Sequence, residues 1–251
     1  MGIDRLYEPY EDNDRPEHRD GRRWEGTSAG ASDIGDPSDR YTYFDEFKEQ
    51  VDAEYRADAV DRGCERVRET EENIVTPAMK RIEAEDPDRH LVGLEFRLKG
   101  RDRLEEKVAV EMAAAPELTA EEAFANVKDG IRYTFQYSEE RYTSSVYADC
   151  ERLEAAGFEQ VQRRNSWTKE EYKGLNSWWC VQETGQQFEV QFHTQASFEA
   201  KQQTHAAYER IRDPTTPDEE VEGLRRFQRD VSATIPIPPE AEEIPDIRRR
   251  T

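Results

Sequence analysis

Apolar residues recur at steps of three and four from Phe44 onwards, which is the period of one face of an amphipathic helix. The series ends near Val67 and predicts a long leading helix. Pro77 fits the first turn of a second, shorter helix that runs through Ile82. The apolar series consists of Phe44, Phe47, Val51, Tyr55, Val60, Cys64 and Val67.

Further along the chain, runs rich in β-branched and aromatic residues alternate with helical patterns. The predicted strands are His90–Leu98, Gly130–Tyr137, Phe158–Arg164, Leu175–Gln182 and Gln187–His193. The predicted helices are Leu104–Met112, Glu139–Ala156, Ala196–Arg212 and Asp218–Val231. This order predicts an α/β (α+β) domain with a mixed sheet of about five strands flanked by helices.

Neither end of the chain carries such a pattern. Residues 1–40 mix Asp, Arg, Gly, Ser and Pro without an apolar period, so we expect a disordered acidic arm. Residues 235–251 are a Pro-rich acidic tail with a basic tip, which we expect to be extended or disordered. The sequence therefore predicts one domain over residues 41–234, with its core at 90–212.

Composition and short motifs exclude several classes of protein. The 251 residues include 57 acidic and 36 basic ones, and the net charge of −21 disfavours nonspecific binding of the whole surface to nucleic acid or anionic membranes. Apolar runs are too short to span a membrane, and we expect a cytoplasmic protein. The sequence has no P-loop, dinucleotide-binding, nucleophile-elbow, HExxH or CxxC motif.

Five cations lie within residues 97–107 of this acidic chain. They are Arg97, Lys99, Arg101, Arg103 and Lys107. Guanidinium and ammonium groups bind phosphate oxygens, and a helix N-terminus adds N–H donors, so the segment fits a polyphosphate. Asp102, Glu105 and Glu106 lie among the cations, and a solvated, salt-bridged helix surface is the alternative.

Two carboxylates stand at positions suited to a metal. Asp129 precedes one predicted strand, and Glu189 lies within another, where Val190 and Phe192 alternate with polar residues. The polar face of that strand carries Glu189, Gln191 and His193. If Asp129 and Glu189 meet, they form an oxygen site for Mg²⁺ bound to substrate phosphates. Each carboxylate taken singly is more commonly a capping or surface residue.

Two further segments carry side chains suited to a nucleotide. In YKGLN (172–176), Tyr172 is able to stack on a base and Gly174 permits close backbone approach, although an ordinary turn explains the same residues. In the helix after Glu189, His205 is either a phosphate ligand or a core histidine. One face of that helix carries Phe198, Lys201, His205 and Tyr208.

Taken in order, these segments resemble the synthetase domain of the RelA/SpoT family. The matching segments are RLKGRDRLEEK (97–107), KDGIRYTF (128–135), YKGLN (172–176), FEVQFHT (188–194) and AKQQTHAAYE (200–209). The resemblance covers about residues 90–212. It implies a nucleotidyltransferase-like fold and a Mg²⁺-dependent transfer of the β,γ-pyrophosphate of ATP to the 3′-hydroxyl of GDP or GTP, which gives the alarmones ppGpp and pppGpp.

The resemblance also implies a role for each matching residue. The implied ATP-binding residues are Arg97, Lys99, Lys107 and Arg132. Asp129 and Glu189 are implied to be catalytic and to bind Mg²⁺, and Glu189 is the residue that would activate the acceptor hydroxyl. Tyr172 is implied to stack on the acceptor guanine. The other implied acceptor-binding residues are Asn176, Gln191, His193, His205 and Tyr208.

Three positions depart from the pattern of alarmone synthetases. Asn176 stands where His is usual, His193 replaces an Arg, and Lys201 replaces an acidic residue. The segments 172–176 and 192–205 look more like divergent small RelA/SpoT-like proteins of actinobacteria and their phages. Some of these are toxins that pyrophosphorylate adenine nucleotides or the tRNA 3′ end, and such a toxin would have an antitoxin partner. A non-catalytic interaction or virion-associated module that keeps the fold is a further alternative, and oligomers are common in the family.

Overall fold

The leading helix is interrupted by one wider turn. The computed structural model describes residues 58–115 and 117–248. Within them, helix α1 (58–70) continues through a π-helical segment, Glu71–Val75, into α2 (Thr76–Ala84). Val67, Val75 and Met79 are fully buried on its apolar face. The predicted second helix is therefore confirmed. The predicted arm, residues 1–40, and the first half of the predicted long helix lie outside the described residues.

Six strands form one mixed sheet in the order β1-β2-β5-β4-β3-β6. The strands are β1 (His90–Val92), β2 (Arg132–Tyr137), β3 (Phe158–Asn165), β4 (Leu175–Val181), β5 (Gln187–Thr194) and β6 (Ile247–Arg248). β2 and β5 pair in parallel, whereas the other neighbouring strands pair antiparallel. The predicted fold class, a mixed sheet flanked by helices, is confirmed.

Five more helices flank the sheet in the part of the chain that the structure describes. They are α3 (Arg101–Ala114), α4 (Ala120–Asn126), α5 (Tyr142–Ala155), α6 (Gln195–Arg212) and α7 (Asp218–Ser232). Helix α4 is not among the predicted helices, although its capping box between Thr119 and Glu122 is visible in the sequence. A second capping box, between Thr194 and Ser197, begins α6 directly after β5. No helix in the described ranges is long and apolar enough to cross a membrane.

The core lies between the sheet and α5. Phe135 of β2 and Phe192 of β5 are fully buried and stack with ring centroids 6.3 Å apart. Tyr142 of α5 meets the fully buried Trp167 edge-on at 5.1 Å. Aromatic burial of this kind contributes most of the hydrophobic stabilisation of a small domain, and it fixes β2 and β5 side by side.

Two predicted segments differ from the structure. The strand predicted over His90–Leu98 stops at Val92, because Gly93 adopts a left-handed φ of 66° and residues Leu94–Phe96 form a 3₁₀ turn. Residues 235–248, predicted to be extended or disordered, instead pack on the sheet. Ile244 is buried, and β6 pairs with β3, which adds the sixth strand.

Candidate active site

The central feature of the site is the polar face of β5. Val190 and Phe192 are fully buried on the core face, so Glu189, Gln191 and His193 lie on the other face, as the alternation predicts. The strand register sets Arg132 of β2 beside Glu189, and it sets Asn176 of β4 beside Gln191. Side chains that are far apart in sequence thus meet on one face.

Glu189 is almost fully buried and has three hydrogen-bond donors. Its Oε2 accepts from Arg132 Nε at 2.6 Å. Its Oε1 accepts from Asn176 Nδ2 and from Gln191 Nε2, each at 3.0 Å. A buried carboxylate requires such partners. Arg132 comes from β2 and Asn176 from β4, the two strands beside β5, and Gln191 belongs to β5 itself.

Asp129 lies in the turn before β2 and is surrounded by cations. Its carboxylate oxygens lie 3.4 Å from Lys99 Nζ, 3.4 Å from Lys107 Nζ and 3.3 Å from Arg132 Nη2. Burial raises the pKa of Asp129, but the charges of Lys99, Lys107 and Arg132 outweigh that effect and hold the pKa below its usual value. Asp129 is therefore ionised at neutral pH.

Arg132 connects the two carboxylates, since one guanidinium bonds both Asp129 and Glu189. On the far side of Glu189, the Oε1 atom of Gln191 accepts a hydrogen bond from Lys201 Nζ of α6. Together these side chains form the charged cluster, which comprises Lys99, Lys107, Asp129, Arg132, Glu189 and Lys201. Four cations face two carboxylates in it, so the cluster is locally positive in a chain of net charge −21.

Lys201 belongs to the cluster, although the family pattern gave no reason to place it there. The pKa of its ammonium group is lowered to about 8, mainly by burial and also by the positive charge of Arg132, against a smaller opposing effect of Glu189. The sequence already places Lys201 on one helix face with Phe198, and in the structure the Phe198 ring centroid lies 5.4 Å from the Lys201 Nζ atom. A cation of this kind changes charge within an accessible pH range.

Tyr172 and His193 lie beside the cluster and are joined to it through Asn176. Tyr172 donates its phenolic proton to Asn176 Oδ1 at 2.9 Å, and its oxygen lies 2.9 Å from His193 Nε2. His193 is fully buried, and its Nδ1 lies 2.8 Å from Ser197 Oγ. Burial lowers the pKa of His193 well below its usual value, so the ring is neutral. Because Tyr172 gives its proton to Asn176, its oxygen accepts from His193 Nε2, which leaves Nδ1 to accept from Ser197.

Gly174 makes room for the His193 ring. Its φ is 151°, and a Cβ atom at this position would lie 2.6 Å from His193 Cε1. The close approach predicted for Gly174 is therefore present, but its neighbour is a histidine of the same chain.

Three of the predicted site residues lie apart from the cluster. Arg97 forms an ion pair with the buried Glu71 at 2.8 Å instead of joining Asp129. His205 is exposed on α6, and Tyr208 is 46% exposed, with Arg212 above its ring at 5.5 Å. In the part of the chain that the structure describes, neither His205 nor Tyr208 forms a hydrogen bond with the charged cluster.

A partly exposed row of side chains extends from Glu189 across the outer strands. The register pairs Glu189 with Trp178 of β4, Trp178 with Gln162 of β3, and Gln162 with Arg248 of β6. Residues directly opposite each other point to the same face, and neighbouring strands lie about 4.8 Å apart. Trp178 thus stands one strand from the central carboxylate, and the sequence analysis did not single it out.

The two carboxylates fit Mg²⁺ in chemical kind. Mg²⁺ prefers carboxylate oxygens and is commonly held by one or two of them together with substrate phosphates. Asp129 is ionised and its side chain is 21% exposed, so it would be the first to hold such an ion, whereas both oxygens of Glu189 already accept hydrogen bonds from protein donors. Within residues 58–115 and 117–248, no group of three or more His, Cys, Asp or Glu side chains is placed to hold a metal ion.

No protein-family model matches this chain, and no curated protein matches it in sequence. Several solved structures are similar to it. A small alarmone synthetase 1 from Bacillus subtilis, bound to its product pppGpp, has 18% identity and a TM-score of 0.46 over 70% of this chain and 91% of that chain. A GTP pyrophosphokinase family protein from Streptococcus pneumoniae has 16% identity and a TM-score of 0.40 over 72% and 90% of the two chains.

The Type VI effector Tas1, solved in complex with its immunity protein, has 16% identity and a TM-score of 0.47 over 71% of this chain and 98% of that chain. Alarmone synthetases, GTP pyrophosphokinase family proteins and this effector are thus what the chain is similar to in structure.

Proposed function

We propose that this chain is an ATP-dependent pyrophosphotransferase, which moves the β,γ-pyrophosphate of ATP to the 3′-hydroxyl of a nucleotide, with GDP or GTP, the usual acceptor of the family that the motifs resemble, as the first candidate acceptor. The observation that carries the proposal is the charged cluster, in which Arg132 joins Asp129 and Glu189. Its surplus of positive charge suits a polyphosphate, and its central carboxylate suits a proton transfer.

The triphosphate of ATP would bind to Lys99, Lys107 and Arg132. Their contacts with Asp129 measure 3.3–3.4 Å, longer than the 2.7–2.9 Å of a strong charge-assisted bond, and each ammonium has three N–H donors. These cations are therefore able to bind phosphate oxygens while they remain beside Asp129. Asp129 would hold Mg²⁺ together with the phosphates, and the metal would neutralise the charge that develops on the leaving group.

Glu189 would take the proton of the acceptor. Its Oε2 atom has one hydrogen-bond partner among the described residues, Arg132, and a carboxylate oxygen has two acceptor positions. The acceptor 3′-hydroxyl gives its proton to Glu189 while its oxygen attacks the β-phosphorus. The bond from the β-phosphorus to the oxygen bridging it to the α-phosphorus breaks, and AMP leaves. Positioning and electrostatics supply most of the rate enhancement in such transfers.

The acceptor nucleotide would lie beside Tyr172 and Asn176. The phenol of Tyr172 is fixed by Asn176 and His193, so the orientation of its ring is set before a base stacks on it. Asn176 touches both Tyr172 and Glu189, and it therefore links the base end of the acceptor site to its hydroxyl end.

A second acceptor class, the single-stranded 3′ end of a tRNA, is favoured by one observation. The row from Glu189 through Trp178 to Arg248 places an aromatic ring and then a cation beyond the central carboxylate. Aromatic stacking platforms flanked by cations are the usual means of binding single-stranded nucleic acid. The exposed Arg164, which pairs in register with Asn176, adds a cation to the same face.

The proposal is tested by incubating the protein with ATP and Mg²⁺ and with GDP, GTP, AMP, ADP or tRNA in parallel. We expect transfer to GDP or GTP that requires Mg²⁺ and falls about 10²–10⁴-fold in Glu189→Gln, the range typical of a lost general base. Glu199→Gln is the matched control, because Glu199 is exposed on α6 and bonds Gln195.

Trp178→Ala separates the two acceptor classes. If the tRNA end is the acceptor, this variant loses transfer to tRNA while it binds ATP as before. Folded protein that binds ATP but transfers to no acceptor would contradict the proposed activity. So would turnover in Glu189→Gln equal to that of Glu199→Gln.

A further inference from the structure

A buried carboxylate lies in the π-helical segment between α1 and α2. Glu71 begins the segment Glu71–Val75, and its side chain is 1% exposed. A π-helical turn is less stable than an α-helical one and recurs at functional sites, and burial of a carboxylate is also unfavourable unless it is paired. Glu71 therefore combines two unfavourable features, a π-helical turn and a buried carboxylate, and its hydrogen-bond partners have to offset both.

The hydrogen bonds of Glu71 converge on one oxygen. Oε1 accepts from Arg97 Nε at 2.8 Å, from the Tyr133 hydroxyl at 2.6 Å and from Thr76 Oγ1. Oε2 is buried and has no hydrogen-bond partner within the part of the chain that the structure describes. Burial raises the pKa of Glu71, but the hydrogen bonds from Thr76, Tyr133 and Arg97 outweigh it and lower the pKa overall, so the carboxylate is charged.

Arg97 is held by part of its guanidinium group. Its Nε bonds Glu71 at 2.8 Å and its Nη1 bonds the carbonyl of Leu94 at 3.1 Å, and the Tyr133 hydroxyl also interacts with the group. The side chain is 39% exposed. A guanidinium has five N–H donors, so donors of the anchored group remain for a ligand.

The backbone of Arg97 is fixed beside the charged cluster. Its carbonyl accepts from the Arg132 amide at 2.7 Å, and the Lys99 amide donates to the Gly130 carbonyl at 2.9 Å. The segment that carries Arg97 and Lys99 thus runs beside the start of β2, next to Arg132. An arginine anchored in this way loses less conformational freedom when it binds an anion.

We propose that Glu71 is a positioning residue for the ATP site, which holds the guanidinium of Arg97 in place so that its remaining donors bind the nucleotide. The inference rests on the proposed function, because it assigns Arg97 to ATP. Glu71 itself touches no substrate. Its charge and its place in the π-helical segment keep the guanidinium in one orientation, so that binding of ATP does not have to order it.

The test compares Glu71→Gln with Thr76→Val. Thr76→Val removes one donor of Glu71 and leaves the bond to Arg97 intact, so it reproduces the disturbance of the buried group without releasing Arg97. For Glu71→Gln we expect the KM for ATP and the Kd of a non-hydrolysable ATP analogue to rise about 10-fold, the effect of one lost charge-assisted contact. We expect kcat at saturating ATP and the KM of the acceptor to stay within about twofold.

A double-mutant cycle makes the test specific for positioning. If Glu71 acts through Arg97, Glu71→Gln adds no further loss of ATP affinity in the background of Arg97→Ala. Glu71→Asp keeps the charge but shortens the side chain by one methylene, so its loss of ATP affinity should be intermediate. This variant replaces Glu71→Gln in the test if Glu71→Gln does not fold.

Each other result overturns the inference. Unchanged ATP affinity in folded Glu71→Gln, an equal loss in Thr76→Val, or additive losses with Arg97→Ala would assign Glu71 to the fold alone, and the proposed function would stand. A wild-type protein that binds no ATP would instead contradict both proposals together.

Discussion

Arg132 and Lys201 show how single residues determine the chemistry of the site. Arg132 is charged at every accessible pH and joins the two carboxylates, whereas Lys201 has a pKa of about 8. Burial is the main cause of that low pKa, and the nearby Arg132 adds to it. The free protein therefore loses one of the four cations of the charged cluster as the pH rises through 8.

This change predicts a pH dependence. Because Lys201 is charged below its pKa and neutral above it, kcat/KM for ATP should be level below about pH 8 and fall above it, by up to tenfold per pH unit. Lys201→Arg should keep kcat/KM level to above pH 9, since a guanidinium stays protonated there. Lys128→Arg, at an exposed position, is the control. A fall near pH 8 in Lys201→Arg as steep as in the wild type would contradict the assignment.

Between elements, a buried ion pair ties α2, β1 and α5 together on the side away from the active site. Arg89 and Asp149 are almost fully buried, and two bonds of 2.6 Å join them. Tyr137 and Arg152 also bond Asp149, at 2.6 and 2.9 Å, and Arg89 Nη1 bonds the carbonyl of Ile82 at the end of α2. The pair thus fixes the leading helix against the strands that carry the charged cluster.

The pair makes Asp149→Asn a severe change. It leaves Arg89 buried without its counter-charge, and the free energy of unfolding should fall by about 3–5 kcal/mol. Glu121→Gln, which breaks the exposed pair with Arg66, should change it by less than about 1 kcal/mol. Denaturant titration of both variants measures the difference. A loss in Asp149→Asn as small as that in Glu121→Gln would show that the buried pair does not hold these elements.

Local sequence patterns predicted the elements that depend only on the alternation or helical period of neighbouring residues. β2, β5 and α6 are found close to their predicted bounds, because alternation and helical period are properties of neighbouring residues. β6 was missed because its two residues become a strand only by pairing with β3, about 80 residues earlier. The early end of β1 depends on the left-handed Gly93, and a lone glycine in an apolar run does not reveal that conformation.

The site residues divide in the same way, into those that local patterns reveal and those that depend on contacts between distant parts of the chain. The resemblance names Asp129, Arg132 and Glu189, and the alternation along β5 by itself sets Glu189 on the polar face, where the register brings Arg132 beside it. The bond between Glu71 and Arg97 spans 26 residues, and a glutamate in a charged helix gives no sign that it is buried. Lys201 looked like a departure from the pattern, and only the packing of α6 on β5 brings it to Gln191.

At the scale of the whole molecule, the charge distribution matters most. The chain carries a net charge of −21, yet four cations and two carboxylates meet at the ends of β2 and β5. An acidic surface repels polyanions in general, so a nucleotide triphosphate is held only where the local field is reversed. We propose that this local field serves the transfer of a pyrophosphate group rather than of a phosphate or a nucleotide.

The most direct measurement uses ATP labelled separately at the α-, β- and γ-phosphates, with Mg²⁺ and the acceptor that the parallel assay identifies. Attack at the β-phosphorus predicts that the β and γ labels reach the acceptor in equal amounts, while the α label stays in AMP. Transfer of the γ label alone would identify a kinase, and transfer of the α label would identify a nucleotidyltransferase. Either result would contradict a role for the charged cluster in pyrophosphate transfer.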